Sequence, residues 1–473
     1  MKSRGSALRS PLRPALLAGL LSLTLGGTAA QTVQWRGDAA PSPQANPQNA
    51  AQPDAPRTFV NTAQRAPLAD AGMALMPQAQ AMPPAAGFDV RRIEQLAQAL
   101  VADQRIPGLA VAIVQDGRIL SARGYGITDT RDAEPVDAHT VFRLASLSKS
   151  FAGTLTGMLV SEGALRWDSR ITDFMPNLRF ADPSAAPQLT VAEVLSHRVG
   201  LTHNAFDRDI EANADYRDVV QKLAYAPMKC APGTCYGYQN VAFSLIGDVV
   251  YAASGQFYNE AVASKIFKPL GMNDASVGLE GIHASARWAK PHVRGRGGWV
   301  SLQPKPTYYR VAPAAGVNAS ISDMAQWLLA QGGHRPDVLP PALLATLQAP
   351  VVSTPTELRG SAWRRERLNA AGYGLGWRVY DYAGHRVVFH GGAVQGYRGA
   401  VALMPERDIG IAILWNSESS LPSGLLPTIL DSAIGLPYQA WLNLPQADDA
   451  DTMYAGQQPG SGVVTSAAEA APR

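Results

Sequence analysis

At 473 residues the chain is longer than one hydrophobic core usually serves, so a large two-lobed domain or two domains are expected. Hydrophobic residues make up 46% and charged residues 17%, the balance of an ordinary folded protein. A net charge of +3 without a basic cluster argues against nucleic acid or an anionic membrane surface as a partner.

Lys2, Arg4, Arg9 and Arg13 precede an apolar run, Ala15–Gly27, and small residues follow up to Gln31. A positive start, a short apolar stretch and small residues before a cut site describe a secretory signal over residues 1–30. The apolar run is shorter than the roughly 20 residues that a membrane span needs. The mature protein is therefore expected in the periplasm or outside the cell, with no membrane span. Residues 31–86 are dense in Ala, Pro and Gln without apolar periodicity and read as a disordered linker. Residues 442–473 read as a disordered tail, which leaves 87–441 as the folded domain.

Within that domain, Val90, Ile93, Leu96 and Leu100 recur on one face of a predicted helix. "GLAVAIVQDGRILSARGYG" then predicts two strands around an Asp116-Gly117 turn. Mostly helical patterns follow, including "SFAGTLTGMLVSEGAL", "TVAEVLSHRVG", "VAFSLIGDVVYAAS" and "ISDMAQWLLAQ". Near the other end, "GLGWRVY", "GHRVVFHGG" and "YRGAVALMPERDIGIAILWN" return to strands. Strands at both ends with helices between them predict an α/β (α+β) fold. One antiparallel sheet would be built from both ends of the chain, with an all-helical subdomain inserted. The cleft between those lobes is the expected place for a small-molecule site.

The segment "FRLASLSKSF" starts one of these helices with Ser146, Ser148 and Ser150 around Lys149. Residues three apart share a helix face, so Lys149 is placed to touch Ser146 and not the other two. A serine hydroxyl becomes a nucleophile when a base takes its proton, and a desolvated lysine can do so. A helix N-terminus also offers N–H groups to a developing oxyanion. Taken alone, the same spacing is compatible with a capped helix start and a solvated lysine. Cys230 and Cys235, the only cysteines, flank Pro232-Gly233. In an oxidising compartment they would pair across that turn, the alternative being two reduced thiols. Two cysteines alone supply too few ligands for a metal site.

Tyr238-Gln239-Asn240 and His390-Gly391-Gly392 complete a set. With "FRLASLSKSF" they resemble, in order and spacing, the Ser-x-x-Lys, Tyr-x-Asn and Lys/His-x-Gly motifs of the class C β-lactamase and penicillin-binding protein superfamily. The similarity continues in "LTVAEVLSHRVGL", "IFKPLGM", "NASISDMAQWLLA" and "YGLGW", from about Phe88 to Leu436. The resemblance implies a β-lactamase/transpeptidase-like fold and an exported serine hydrolase working through an acyl-enzyme on Ser146. Lys149 would be the activating amine and Tyr238 a proton relay whose phenol needs nearby cations to lower its pKa. Asn240 would hold Lys149 and the substrate amide. His390 and Gly392 would line the substrate strand, and the N–H groups of Ser146 and Ala393 would form the oxyanion hole. His197, in "LSHRVG", is expected to be structural. Substrates would be β-lactams, D-amino-acyl peptides or amides, or esters, including peptidoglycan peptides, with neither metal nor organic cofactor implied. His390-Gly391 in place of Lys-Thr removes a permanent cation and a hydroxyl that would hold a β-lactam carboxylate, which weakens the case for an efficient β-lactamase. The alternatives are a carboxylesterase of the same family or a non-catalytic binder of cell-wall peptides.

Overall fold

The computed structural model describes residues 82–85, 88–442 and 444. The expected signal segment and nearly all of the expected linker and tail lie outside the described residues. Three of the residues assigned to the linker hydrogen-bond to the domain: Met82 N–H donates to the Glu406 carbonyl (2.7 Å), Ala85 N–H to that of Ala433 (3.0 Å), and the Pro83 carbonyl accepts from the Arg407 guanidinium.

Eight strands form one sheet: β1 (Gly108–Gln115), β2 (Arg118–Gly126), β3 (Val352–Ser353), β4 (Leu368–Tyr373), β5 (Arg378–Tyr382), β6 (His385–Val394), β7 (Tyr397–Met404) and β8 (Ile409–Trp415). Their spatial order is β2-β1-β8-β7-β6-β5-β4-β3, with every neighbouring pair antiparallel. The N-terminal hairpin thus docks on the last strand, as the strand pattern at the two chain ends predicts. Asp116 (φ 48°) and Gly117 (φ 69°) turn that hairpin in left-handed geometry, which fits the right-handed twist of the flanking strands.

The helices that matter for the site are α1 (Val90–Val101), α2 (Ser148–Ser161), α3 (Leu245–Ser254), α4 (Ile321–Gln331) and α5 (Leu425–Ile434). Side chains alternate across a strand, so β1 feeds two cores. Leu109, Val111 and Ile113 join Ile93 and Leu100 of α1 and Ile429 of α5 on one face. Ala110 and Ala112 join Trp327 and Leu328 of α4 and Phe151 of α2 on the other. Small alanines there let the helices lie close to the sheet. Among the described residues no helix is long and apolar enough to cross a membrane.

The central helix α2 is buried nearly all round, and its seat is set by glycines. A Cβ on Gly153 would run into the Leu375 carbonyl, and one on Gly376 (φ +89°) into the Lys149 carbonyl. The loop between β4 and β5 therefore packs backbone to backbone against the first turns of α2, fixing where Lys149 starts.

Candidate active site

A short strand, Val141–Arg143, pairs with Val317–Ser320 and delivers the chain to the base of α2. Ala145 is left-handed (φ 50°), an uncommon conformation for a residue with a Cβ, and it opens a 3-10 turn, Ala145–Leu147, that carries Ser146. α2 begins only at Ser148, so Ser146 projects from a tight turn ahead of the helix. The three serines separate cleanly. Ser148 and Ser150 are fully buried. Ser148 Oγ donates to the Ala145 carbonyl (2.6 Å) and accepts from Val317 N–H (3.0 Å), while Ser150 Oγ donates to the Leu147 carbonyl (2.8 Å). Ser146 alone is partly exposed.

Lys149 has no exposed surface. Its Nζ donates to Asn240 Oδ1 at 2.7 Å and to the Ala314 carbonyl at 3.1 Å. Burial drives its pKa well below the ordinary lysine value; Asp207 pulls the other way and Arg378 adds to the depression. The downward shift favours the neutral amine, the form able to accept a proton. The hydrogen bonds of this amine thus go to Asn240 and Ala314, and the Ser146 hydroxyl acts on the Tyr238 phenol by lowering its pKa.

Tyr238 is buried, with Lys149 Nζ 4.6 Å from its ring centre. Burial pushes its pKa well above the usual phenol value, against the pull of Arg378 and of the Ser146 hydroxyl. The expected net lowering by nearby cations is thereby corrected: desolvation wins, and Tyr238 is a neutral phenol able to donate as well as accept. His197 lies beneath it, ring centres 4.3 Å apart, fully buried, with Nδ1 accepting from Gln239 N–H (3.1 Å). It supports the tyrosine rather than facing the cleft, in line with its structural reading.

His390, expected to line the substrate strand, sits inside the protein, fully buried. Its Nδ1 lies 2.8 Å from the Gly391 carbonyl, which can only accept, so Nδ1 carries the proton and donates. Burial first, then Arg378 and Lys149, hold its pKa well below the usual histidine value, so the ring is neutral and Nε2 accepts from the Tyr373 hydroxyl at 3.0 Å. Both ring nitrogens are engaged inside the protein, which leaves no polar atom of the His390 ring free toward the cleft. Gly392 lies close to the nucleophile's backbone: a Cβ there would meet the Leu144 carbonyl and lie 3.2 Å from Ser146 N.

The backbone of β6 beyond His390 is open on one side. β5 pairs with β6 only from His385 to Phe389, and among the described residues His390–Val394 pairs with β7 alone. The two-residue loop Gln395-Gly396 closes on Val394 and Tyr397, a hydrogen-bonded pair in such hairpins. Alternation then makes Ala393–Arg398 and Gly391–Ala400 non-hydrogen-bonded pairs, so the polar backbone of Ala393 and Gly391 faces the open edge. The Gly391 carbonyl, taken by the His390 ring, agrees with that assignment.

Residues without a recognisable spacing complete the site. Arg378, on β5, holds its guanidinium 5.3 Å from the Tyr238 ring centre and 5.7 Å from that of Tyr373. It is ion-paired to Glu357, which also binds Arg364 and accepts from Tyr380 Oη (2.9 Å). Asp207 Oδ2 accepts from Asn240 Nδ2 at 2.7 Å. None of these carries a local pattern, because each acts on residues distant in sequence. Cys230 and Cys235 are disulfide-bonded, Cα atoms 6.2 Å apart, in the loop that leads directly into Tyr236 and Tyr238.

The Beta-lactamase family matches residues 93–434 of the chain. An unguisins hydrolase of Aspergillus campestris (strain IBT 28561) is 26% identical over 335 residues, covering 69% of this chain and 61% of that protein. A D-aminopeptidase of Gluconobacter oxydans (strain 621H) is 26% identical over 358 residues, covering 74% and 63%. The match thus spans under two thirds of either relative's length. The octameric penicillin-binding protein homologue from Pyrococcus abyssi shares the fold, with a TM-score of 0.64 at 24% identity over 74% of this chain and 78% of that one.

Proposed function

The chain belongs to the beta-lactamase family of serine hydrolases, and from that premise we propose that it hydrolyses esters and D-amino-acyl amides or peptides through an acyl-enzyme on Ser146. The observation that carries this reading is the buried amine of Lys149, held by Asn240 and Ala314 with its Nζ 4.6 Å from the ring centre of Tyr238, three residues after the partly exposed Ser146. The Ser146 proton leaves through Tyr238 toward the neutral amine as Oγ bonds to the substrate carbonyl carbon. The N–H groups of Ser146 and Ala393 receive the oxyanion. Collapse breaks the bond to the leaving nitrogen or oxygen, which takes up the proton. A water molecule then repeats the sequence on the acyl-enzyme and releases the acid and free Ser146.

The choice of substrate rests on charge. A carboxylate beside the reacting carbonyl calls for a free cation or hydroxyl on the substrate strand. His390 is neutral with both nitrogens engaged, Gly391 has no hydroxyl, and Arg378 is paired with Glu357. Uncharged esters and amides fit better than β-lactams. The N-terminal signal pattern and the disulfide support work outside the cytoplasm. Side-by-side hydrolysis of a short-chain nitrophenyl ester, a D-alanyl amide and a chromogenic cephalosporin tests the reading. The ester or the amide is expected to turn over fastest; a clear preference for the cephalosporin would contradict it.

A further inference from the structure

We propose that Asp207 is a positioning residue that acts through Asn240, and that Asn204 and Asp207 together clamp the Tyr238–Asn240 segment; this rests on the reading of Ser146 and Lys149 given above. An asparagine amide can be placed either way round, because its oxygen accepts and its nitrogen donates from ends of similar size. Burial pushes the Asp207 carboxyl up, against the hydrogen bonds from Asn240 and Tyr308, and in its ionised form it can only accept. With Asp207 Oδ2 2.7 Å from Asn240 Nδ2, one orientation survives, and Oδ1 is turned to Lys149 Nζ at 2.7 Å.

The direction of that contact decides whether Lys149 can work. A neutral amine has two N–H bonds and one lone pair. Here the two N–H bonds are directed at Asn240 Oδ1 and the Ala314 carbonyl, which leaves the lone pair for a proton arriving from Ser146. A reversed Asn240 would present N–H to the amine and engage that lone pair instead. Through the orientation of Asn240, Asp207 thereby leaves the lone pair of Lys149 unengaged, while its charge raises the amine's pKa against the larger effect of burial.

The position of Asp207 is itself built. Asn204 (φ 53°) and Phe206 (φ 62°) are both left-handed, a backbone that persists where surrounding contacts enforce it. Asn204 N–H donates to the Tyr238 carbonyl at 2.8 Å, and Asp207 N–H to the Asn204 carbonyl at 3.1 Å. Tyr308 Oη adds a contact to Asp207 Oδ2 at 3.3 Å and to Glu211 at 2.9 Å. One short loop therefore grips the backbone of the tyrosine and the side chain of the asparagine.

The test is a double-mutant cycle on the full chain, read by the rate of fluorophosphonate labelling and by kcat and KM for a nitrophenyl ester. Asp207→Asn is expected to lower the labelling rate and kcat by about 10- to 100-fold, with KM nearly unchanged, because a carboxamide lets Asn240 turn round. In an Asn240→Ala background the same change is expected to alter the labelling rate by less than about 2-fold. Melting temperatures identify any variant that fails to fold, and Asp207→Ser serves as the second substitution. An equal loss in both backgrounds, or no loss in the otherwise native chain, overturns the inference. Labelling that persists in Ser146→Ala would instead remove the reading on which it rests.

Discussion

The Tyr373 hydroxyl and His390 Nε2 lie 3.0 Å apart in a fully buried pair, and that bond takes the second ring nitrogen of the histidine away from the cleft. With Nδ1 committed to the Gly391 carbonyl, the ring has no polar atom left for substrate. His390→Gln is therefore expected to lower the ester kcat/KM while leaving the shape of the pH profile between pH 6 and 8 unchanged, since a ring held neutral does not titrate there. His390→Ala strands the Tyr373 hydroxyl in the core, with an expected loss of about 1–3 kcal/mol in denaturant unfolding.

Lys149 predicts the pH dependence. Its pKa in the fold is far below the ordinary value of 10.5, so activity rises as the amine loses its proton and levels off well below pH 10. The sign for stability follows. The unfolded chain binds the extra proton between the lowered value and 10.5, so burying Lys149 opposes folding at neutral pH, and that penalty shrinks as pH rises toward 10.5. Lys149→Arg keeps its proton at every accessible pH and is expected to lose on the order of 10²–10⁴-fold in the rate of Ser146 labelling.

Gly392 and Gly391 separate contact with the nucleophile from general strand packing. A methyl group on Gly392 would press on the Leu144 carbonyl and the Ser146 backbone, whereas one on Gly391 would first meet the Phe389 ring edge at 3.3 Å. Gly392→Ala is expected to reduce kcat by about 10²–10³-fold by displacing an oxyanion donor. Gly391→Ala should be clearly milder in the same steady-state assay.

The disulfide ties the loop that presents Tyr236 and Tyr238. Replacing Cys230 and Cys235 by serine is expected to cost about 2 kcal/mol of stability through the short closed loop. Activity should fall with it. Thermal melts of oxidised, reduced and substituted protein check this; identical melting curves for all three would contradict it.

Much of this site was legible because its chemistry is carried by spaced motifs. Ser146, Lys149, Tyr238, Asn240 and Gly392 converge as their motifs imply, and the terminal strands pair as their apolar patterns require. Helix periodicity selected Ser146 among its neighbours, yet Ser146 sits in a 3-10 turn ahead of α2, because Ala145 takes a left-handed conformation that no propensity argument requires. Lys149, meanwhile, turns to Asn240 and Ala314. Asp207, Glu357 and Arg378 were not legible. Arg378 reads as an ordinary strand residue in "GWRVY", and its meaning comes from Tyr238 and Glu357, which only the folded chain brings to it. The phenol's raised pKa was likewise beyond composition, since it depends on how completely the folded chain excludes water from Tyr238.

The most direct test of the central claim is intact-protein mass spectrometry, with peptide mapping, after brief exposure to a fluorophosphonate and to a slowly hydrolysed activated ester. A single adduct on the peptide containing Ser146 is predicted, absent from Ser146→Ala and kept by Ser148→Ala and Ser150→Ala. An adduct that survives in Ser146→Ala, or one that maps to another residue, would contradict the account.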